Sequence, residues 1–339
     1  MVAEHPHPPT REYLPTALFR HPAWIEWKEM QGWKSIPTRE GLVLLTRSIG
    51  PGASMAYVQS PAILEDSGGE EADYGSCLED LSLAVLPELP EDCAFIRWDL
   101  MARSWTDGEG MPLPARLQEL RMNASTRLRR FRKAATEHMC PDTMVVDLWG
   151  GPEALRARMD YRTRYSVRLA ERRGTRVTLC GPSGLRAFHS LHRATMSRRG
   201  LPVHPESCFR DFFMAASETG LGLDLYLAES EGESVAAAII ARCETEAWYL
   251  FAASSPERRA SAGPSAILYR ALMDCSEAGC ERMDLLGVGP PRAAGHPLSG
   301  LTLFKSGFGG RRRSRAGAWD FVLDPEVYCM YAAALYDRT

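Results

Sequence analysis

One order of elements occurs twice along this chain, and it constrains the fold more than any bulk property does. In the first half, residues 41–47 and 53–59 read as strands, and Ser60-Pro61 breaks the second of them. A helix is predicted over 77–86, with Leu78, Leu81 and Val85 on its apolar face, and residues 94–100 then read as a strand ending in Asp99-Leu100. The second half repeats this. Residues 222–229 and 234–243 form a predicted hairpin about Glu231-Gly232-Glu233, residues 247–253 a third, aromatic strand, and Ser255-Pro256 a break. A helix over 264–278 carries Leu268, Leu272 and Cys275 at i, i+4 and i+7 and stops at Gly279. Residues 282–288 read as a buried strand containing Asp284-Leu285. Strand, Ser-Pro break, helix and strand with Asp-Leu point to an internal duplication.

A chain of 339 residues that is 45% apolar can bury two cores. The expected fold class is α/β with mixed sheets, in two copies, and the strand order suits the acetyltransferase (GNAT) type by analogy alone. Between the halves, one helix is predicted from Pro152 to Gly174. It has Leu155, Met159, Thr163, Ser166, Val167 and Ala170 inward and arginines such as Arg156, Arg162, Arg168, Arg172 and Arg173 on its other sides. That arginine-dense face reads equally as a phosphate-binding surface or as a solvated one paired with acidic residues of the first half.

The net charge of −3 offers no whole-molecule attraction to nucleic acid, but the charge is uneven. No Lys or Arg falls between Arg47 and Arg97, while basic residues crowd at 127–133, 156–176 and 311–315. The N-terminus lacks the pattern of a signal peptide, and no stretch approaches the roughly 20 apolar residues of a membrane span. Nine cysteines without a Cys-x-x-Cys pair read as reduced packing residues, so the expected location is the cytoplasm.

The familiar nucleophile, zinc and phosphate-loop motifs are missing. Direct transfer between two bound substrates is the chemistry that remains, with the protein supplying position and charge. Only four lysines occur against a strong arginine bias, Lys28, Lys34, Lys133 and Lys305. Lys305 suits an oxyanion, as a point charge between a strand and a Gly-rich turn where Gly307, Gly309 and Gly310 are expected to let backbone approach substrate.

The segment Phe304-Lys305-Ser306-Gly307-Phe308-Gly309-Gly310 resembles a motif of the FemABX family of aminoacyltransferases, which build the interpeptide bridge of bacterial peptidoglycan. Pro22-Ala23-Trp24 through Lys28 with Gly32-Trp33, Asp147-Leu148, the run from Arg164 to Gly174, and Tyr249-Leu250-Phe251-Ala252-Ala253-Ser254 resemble further family segments in the same order. The resemblance implies two tandem GNAT-like domains, residues 1–147 completed by 318–339, and residues 148–317. It implies transfer of an amino acid from aminoacyl-tRNA, a co-substrate rather than a cofactor, to a side-chain amine of a UDP-linked or lipid-linked muropeptide. Peripheral contact with the inner membrane face is compatible with the second acceptor. By the same resemblance Lys305 neutralises the oxyanion with Phe304 beside it, Lys28 and Arg198 hold the precursor, Tyr249 lines the groove, and Asp99 is a further substrate contact. Phe251 and Arg199 depart from the family pattern, and no long helical arm for tRNA is apparent, which leaves residues 127–133 as a smaller contact. The alternatives are an acyl-CoA-dependent N-acetyltransferase of the same fold, suggested by Arg259 to Pro264 before a helix, and a non-enzymatic RNA-binding protein.

Overall fold

The computed structural model describes residues 17–61, 74–107, 111–292 and 295–336. They fall into two compact units, the first built mainly from Trp24–Pro141 and the return segment from Ser314, the second mainly from Asp142–Arg313.

The first unit opens with helices α1 (Ala17–Arg20) and α2 (Pro22–Glu29), followed by strands β1 (Lys34–Pro37), β2 (Val43–Gly50) and β3 (Ala53–Gln59). Then come α3 (Tyr74–Ala84), β4 (Cys93–Arg103), α4 (Ala115–Met122) and β5 (Phe131–Lys133). Strands β1 to β3 form an antiparallel meander, and β4 lies parallel to β3 after the crossover through α3. Along β4, Ile96, Trp98 and Leu100 point into one apolar cluster with Leu78 of α3 and Phe131, whereas Phe95 points into another with Trp33 and Tyr57. Strand alternation therefore puts Arg97 and Asp99 on the Phe95 face.

The second unit contains β6 (Asp142–Asp147), α5 (Gly151–Arg158), α6 (Tyr161–Arg172), β7 (Arg176–Leu179), α7 (Leu185–Arg198) and α8 (Glu206–Thr219). It continues with β8 (Gly222–Ser230), β9 (Glu233–Cys243), β10 (Glu246–Ser254), α9 (Gly263–Glu277), β11 (Arg282–Gly287) and α10 (Ser299–Ser306). Its strands lie in the order β7-β8-β9-β10-β11-β6, with β10 and β11 parallel across α9. Helices α5, α6 and α9 pack together on one face, where Leu155, Tyr226, Ala228, Ile240 and Leu268 share a core. Helices α7 and α8 pack with β8, β9 and β10 outside that core. The chain then returns to the first unit through β12 (Arg311–Val322), antiparallel to β4 and β5, and α11 (Pro325–Tyr336). Strand, crossover helix and parallel strand thus occur twice, as β3-α3-β4 and β10-α9-β11, and each closing strand has an antiparallel neighbour from a distant part of the chain.

Three expectations are corrected. The helix expected from Pro152 to Gly174 is two helices. Met159 is extended (φ −67°, ψ 148°), and the Asp160 side chain caps α6 by accepting from the Thr163 N–H at 2.6 Å. Its inward face was legible nonetheless, since Leu155, Met159, Thr163, Val167 and Ala170 are all buried. The strand expected to end at Asp99-Leu100 continues to Arg103, so Asp99 sits within its strand, as Asp284 does within β11, which runs to Gly287 close to the expected 288. Finally, Lys305 lies in the last turn of a helix, α10, and the glycines after it meet protein rather than substrate. A Cβ on Gly307 would strike the Thr163 hydroxyl, one on Gly309 would lie 2.6 Å from the Arg158 carbonyl, and one on Gly310 would lie 2.7 Å from Met144 Cγ. These glycines let the turn after Lys305 nest against the α5–α6 junction, where the Asp160 N–H donates to the Gly307 carbonyl at 2.9 Å.

Gly309 also has φ 79°, so Gly309→Ala combines a left-handed alanine with a backbone clash. It is expected to cost at least about 2 kcal/mol in a urea titration. An unchanged midpoint would show that the turn relaxes freely.

Candidate functional site

The two parallel strand pairs differ in one respect. β3 and β4 stay in register as far as Gln59↔Asp99, the end of β3. β10 and β11 pair only over Glu246↔Arg282, Ala247↔Met283 and Trp248↔Asp284, although both run on. A bulge between Tyr249 and Phe251 bends β10, and one between Asp284 and Gly287 bends β11. The second unit therefore opens at the carboxyl ends of adjacent parallel strands, where α/β sheets place ligands.

Asp284 builds the β11 bulge. Fully buried, it accepts from the Leu286 N–H at 2.7 Å and from the Thr143 hydroxyl, which holds Leu286 at φ 59°. The next carbonyl, that of Gly287, receives a hydrogen bond from Lys305 Nζ at 2.7 Å. Lys305 is only 5% exposed. A second tie, from the Gly289 N–H to Thr302 Oγ1 at 2.9 Å, fixes α10 to the same strand end, and Arg312 donates to the Gly289 carbonyl. A positive charge is thus seated at the end of a diverging strand by backbone geometry.

Phe304 packs edge-on against Phe308 at 5.3 Å and borders the core that holds Tyr249. Burial raises the Tyr249 hydroxyl far above the usual phenol range, so it acts as a neutral group. Phe251, two residues on, meets Phe209 of α8 at 5.3 Å instead. A regular strand would keep both rings on one face, and the bulge separates them, which gives Phe251 a packing role. Arg198 is exposed at the end of α7. One turn earlier, Thr195 Oγ1 accepts from the Ser254 N–H at 3.3 Å, so Arg198 stands near the carboxyl end of β10.

The other two predicted residues, Lys28 and Asp99, lie in the first unit. Asp99 is 2% exposed and accepts from the Tyr57 hydroxyl at 2.7 Å. Burial pushes its carboxyl up to about 6, opposed by that hydrogen bond and reinforced by the charge of Glu137. Burial pulls the Lys28 ammonium down to about 8, with the charge of Asp99 working against the shift. Lys28 Nζ lies 5.3 Å from the Trp24 ring, and Trp24 Nε1 donates to Gln59 Oε1 at 3.0 Å, which docks α2 at the end of β3. His138 stacks on Tyr57 at 4.7 Å, and its two ring nitrogens lie 3.1 Å from an Arg97 nitrogen and 3.4 Å from one of Arg47. Arg47 in turn covers the Trp33 ring at 4.3 Å. Ammonium, guanidinium and aromatic faces beside a carboxyl of shifted pKa suit an anionic ligand that carries an amine. Arg47, Tyr57 and His138 were missed from sequence, because only the parallel β3/β4 register makes Tyr57 a neighbour of Asp99. Asp284 had a signal, since it occupies the repeat position of Asp99.

These buried groups set the acid response of the fold. Burial first, then nearby arginines and Lys28, hold His138 down to about 3, and burial with neighbouring histidines holds His192 down to about 4. Their unfolded value is near 6.5, so each binds a proton on unfolding below that pH and removes about 1.4 kcal/mol of stability per pH unit. Asp99 acts in the opposite sense. Its folded pKa is raised, so its contribution is least favourable above about 6 and recovers as pH falls toward 3.8. Asp99→Asn is therefore expected to raise stability at pH 7 by on the order of 2–3 kcal/mol and to lose that advantage by pH 4. Urea midpoints across this range check it. Equal midpoints at pH 7 would contradict the burial of a charged Asp99.

A family model described as an acetyltransferase (GNAT) domain matches residues 156–295. Among solved structures, FemX superposes with a TM-score of 0.72 at 19% identity, covering 91% of this chain and 93% of that one. The C-terminal domain of an Agrobacterium fabrum protein described as a lysylphosphatidylglycerol synthetase gives 0.55 at 14% identity, covering 95% of this chain and 93% of that one. L-PGS from Bacillus licheniformis gives 0.52 at 12%, covering 91% and 90%. No curated protein sequence matches the chain. The fold is thus of the tandem acetyltransferase type, similar to that of FemX. Among the described residues, no helix is long and apolar enough to cross a membrane.

Proposed function

We propose that this chain is a FemABX-type aminoacyltransferase that moves an amino acid from aminoacyl-tRNA to a side-chain amine of a peptidoglycan precursor on the cytoplasmic side. The observation that carries this reading is the buried Lys305 ammonium on the Gly287 carbonyl where β10 and β11 part. The FemX-like fold supports it. The acceptor amine attacks the ester carbonyl carbon, the carbonyl oxygen becomes an oxyanion, and Lys305 stabilises it. The C–O bond to the tRNA ribose then breaks, and the amine proton leaves with the ribose hydroxyl. Lys28 and Arg198 are assigned to the diphosphate and carboxylates of the precursor, Tyr249 and Phe304 to the walls of the groove, and Asp99 to a substrate contact. The start of α9 weighs against a pyrophosphate-holding loop. The Gly263 N–H is taken by Ser261 Oγ at 3.3 Å, and Pro264 has no N–H to give.

The test is to incubate the protein with a mixed pool of charged tRNAs and, separately, UDP-linked and lipid-linked muropeptide, and to weigh the products. Addition of one amino-acid residue to the stem supports the reading. Acetylation from acetyl-CoA with no aminoacyl addition refutes it.

A further inference from the structure

Helix α6 buries Thr163, Val167 and Ala170. Its opposite side carries Tyr161, Tyr165, Arg168 and Arg172 at i, i+4, i+7 and i+11, a single stripe about 17 Å long. The two tyrosines are 73% and 48% exposed, unusual for large rings on a helix rich in charge. The Arg172 guanidinium lies 5.5 Å from the centre of the Tyr165 ring. Arg162 and Arg173 flank the stripe, and Arg176 continues it into β7.

Of the two readings of this face, pairing with acidic residues finds no support among the described residues, and the acidic stretch at 65–73 lies outside them. Among the described residues, none of Arg162, Arg168, Arg172, Arg173 and Arg176 meets a carboxylate. The basic cluster at 127–133 behaves differently. Arg127 is bound to Glu79 and Asp80, and Lys133 to Glu137 at 2.5 Å, so its charge is partly spent within the protein. The α6 stripe also begins beside the candidate centre. Asp160, its N-cap, donates its N–H to the carbonyl of Gly307, two residues past Lys305.

We infer that the exposed face of α6 binds the single-stranded, acyl-bearing end of the tRNA and leads it toward Lys305. Tyr161 and Tyr165 offer faces on which unpaired bases stack, and Arg168 and Arg172 take the phosphates between them. Two exposed aromatic rings followed by two arginines that meet no carboxylate among the described residues supply the stacking faces and the charge complement to such a strand. An anionic membrane surface fits less well, because an interfacial helix inserts its apolar side and α6 turns that side into the core. This inference rests on the aminoacyl-tRNA reading above.

The test uses the full chain and unfractionated, uncharged tRNA, with binding followed by fluorescence anisotropy over a range of salt. Tyr161→Ala combined with Tyr165→Ala is expected to weaken binding about 10-fold or more. Arg168→Ala combined with Arg172→Ala is expected to lower the slope of log Kd against log salt by about 1.4. All four side chains are exposed, so thermal midpoints stay at the wild-type value. Wild-type affinity and slope in both double variants overturn the inference. So does binding of phosphatidylglycerol vesicles, but not of tRNA, that the arginine variants abolish. The transfer assay separates the two levels. If the variants bind and use aminoacyl-tRNA as the wild type does, this surface is wrong and the proposed function stands. If the wild type transfers no amino acid from any charged tRNA, the proposed function falls with it.

Discussion

Lys305→Ala is expected to lower the turnover of amino-acid transfer by about 100- to 1,000-fold, the scale of losing a principal oxyanion donor, while KM for either substrate changes little. Lys305 is buried and held at 2.7 Å by the Gly287 carbonyl, a seat fixed by the Asp284 bulge before it and the Thr302 contact after it. Lys305→Arg is expected not to restore activity. A planar fork needs more than one acceptor in its plane and is too broad for a seat shaped around a compact ammonium. The alanine variant leaves the Gly287 carbonyl without this donor, which costs about 1–3 kcal/mol, and a thermal scan should still show a folded protein. Full turnover in a folded Lys305→Ala protein would remove Lys305 from the chemistry.

The largest effect on stability is expected from Asp320→Ala, at about 3–5 kcal/mol. Arg97 and Asp320 are fully buried and form a two-pronged pair, with Arg97 Nε and Nη2 donating to the carboxylate at 2.7 and 2.8 Å. The Tyr328 hydroxyl donates to the same carboxylate at 3.0 Å. Removing Asp320 strands a guanidinium in the core of the first unit and frees a buried hydroxyl, whereas the pair itself adds little over an apolar substitute. The damage should reach the Lys28–Asp99 region, because Arg97 also holds His138, which stacks on Tyr57, the hydrogen-bond donor to Asp99. A urea titration measures the loss. A change under about 1 kcal/mol would mean that water reaches Arg97 when its partner is gone.

How much of this was legible in the sequence varied with the physics involved. Periodicity located the strands and helices of both repeats, since β3 spans residues 53–59 as read and α9 differs from its reading by a residue at each end. Helices α7 and α8 were overlooked although their signal was present, with Leu185, Phe188, Leu191, His192 and Thr195 buried along one side of α7. The break at Met159 was not legible, because every residue around it is compatible with helix and the decisive contact comes from Gly307. Lys305 was found by its rarity and its motif, but the reason for the glycines beside it was tertiary. The groups around Asp99 escaped notice for a similar reason. Tyr57, His138 and Arg97 are scattered along the chain and converge only through the β3/β4 register and the segment after β5.

In direct transfer of the proposed kind, the acyl ester is consumed only when an acceptor amine receives the acyl group. The most direct measurement follows a single turnover with a tRNA pool charged with radiolabelled amino acids, with and without muropeptide. Label is expected to leave the tRNA only when muropeptide is present and to appear in the muropeptide one for one, in the wild type and not in Lys305→Ala. Loss of label at the same rate without muropeptide, or no loss while acetyl-CoA is consumed, would contradict it.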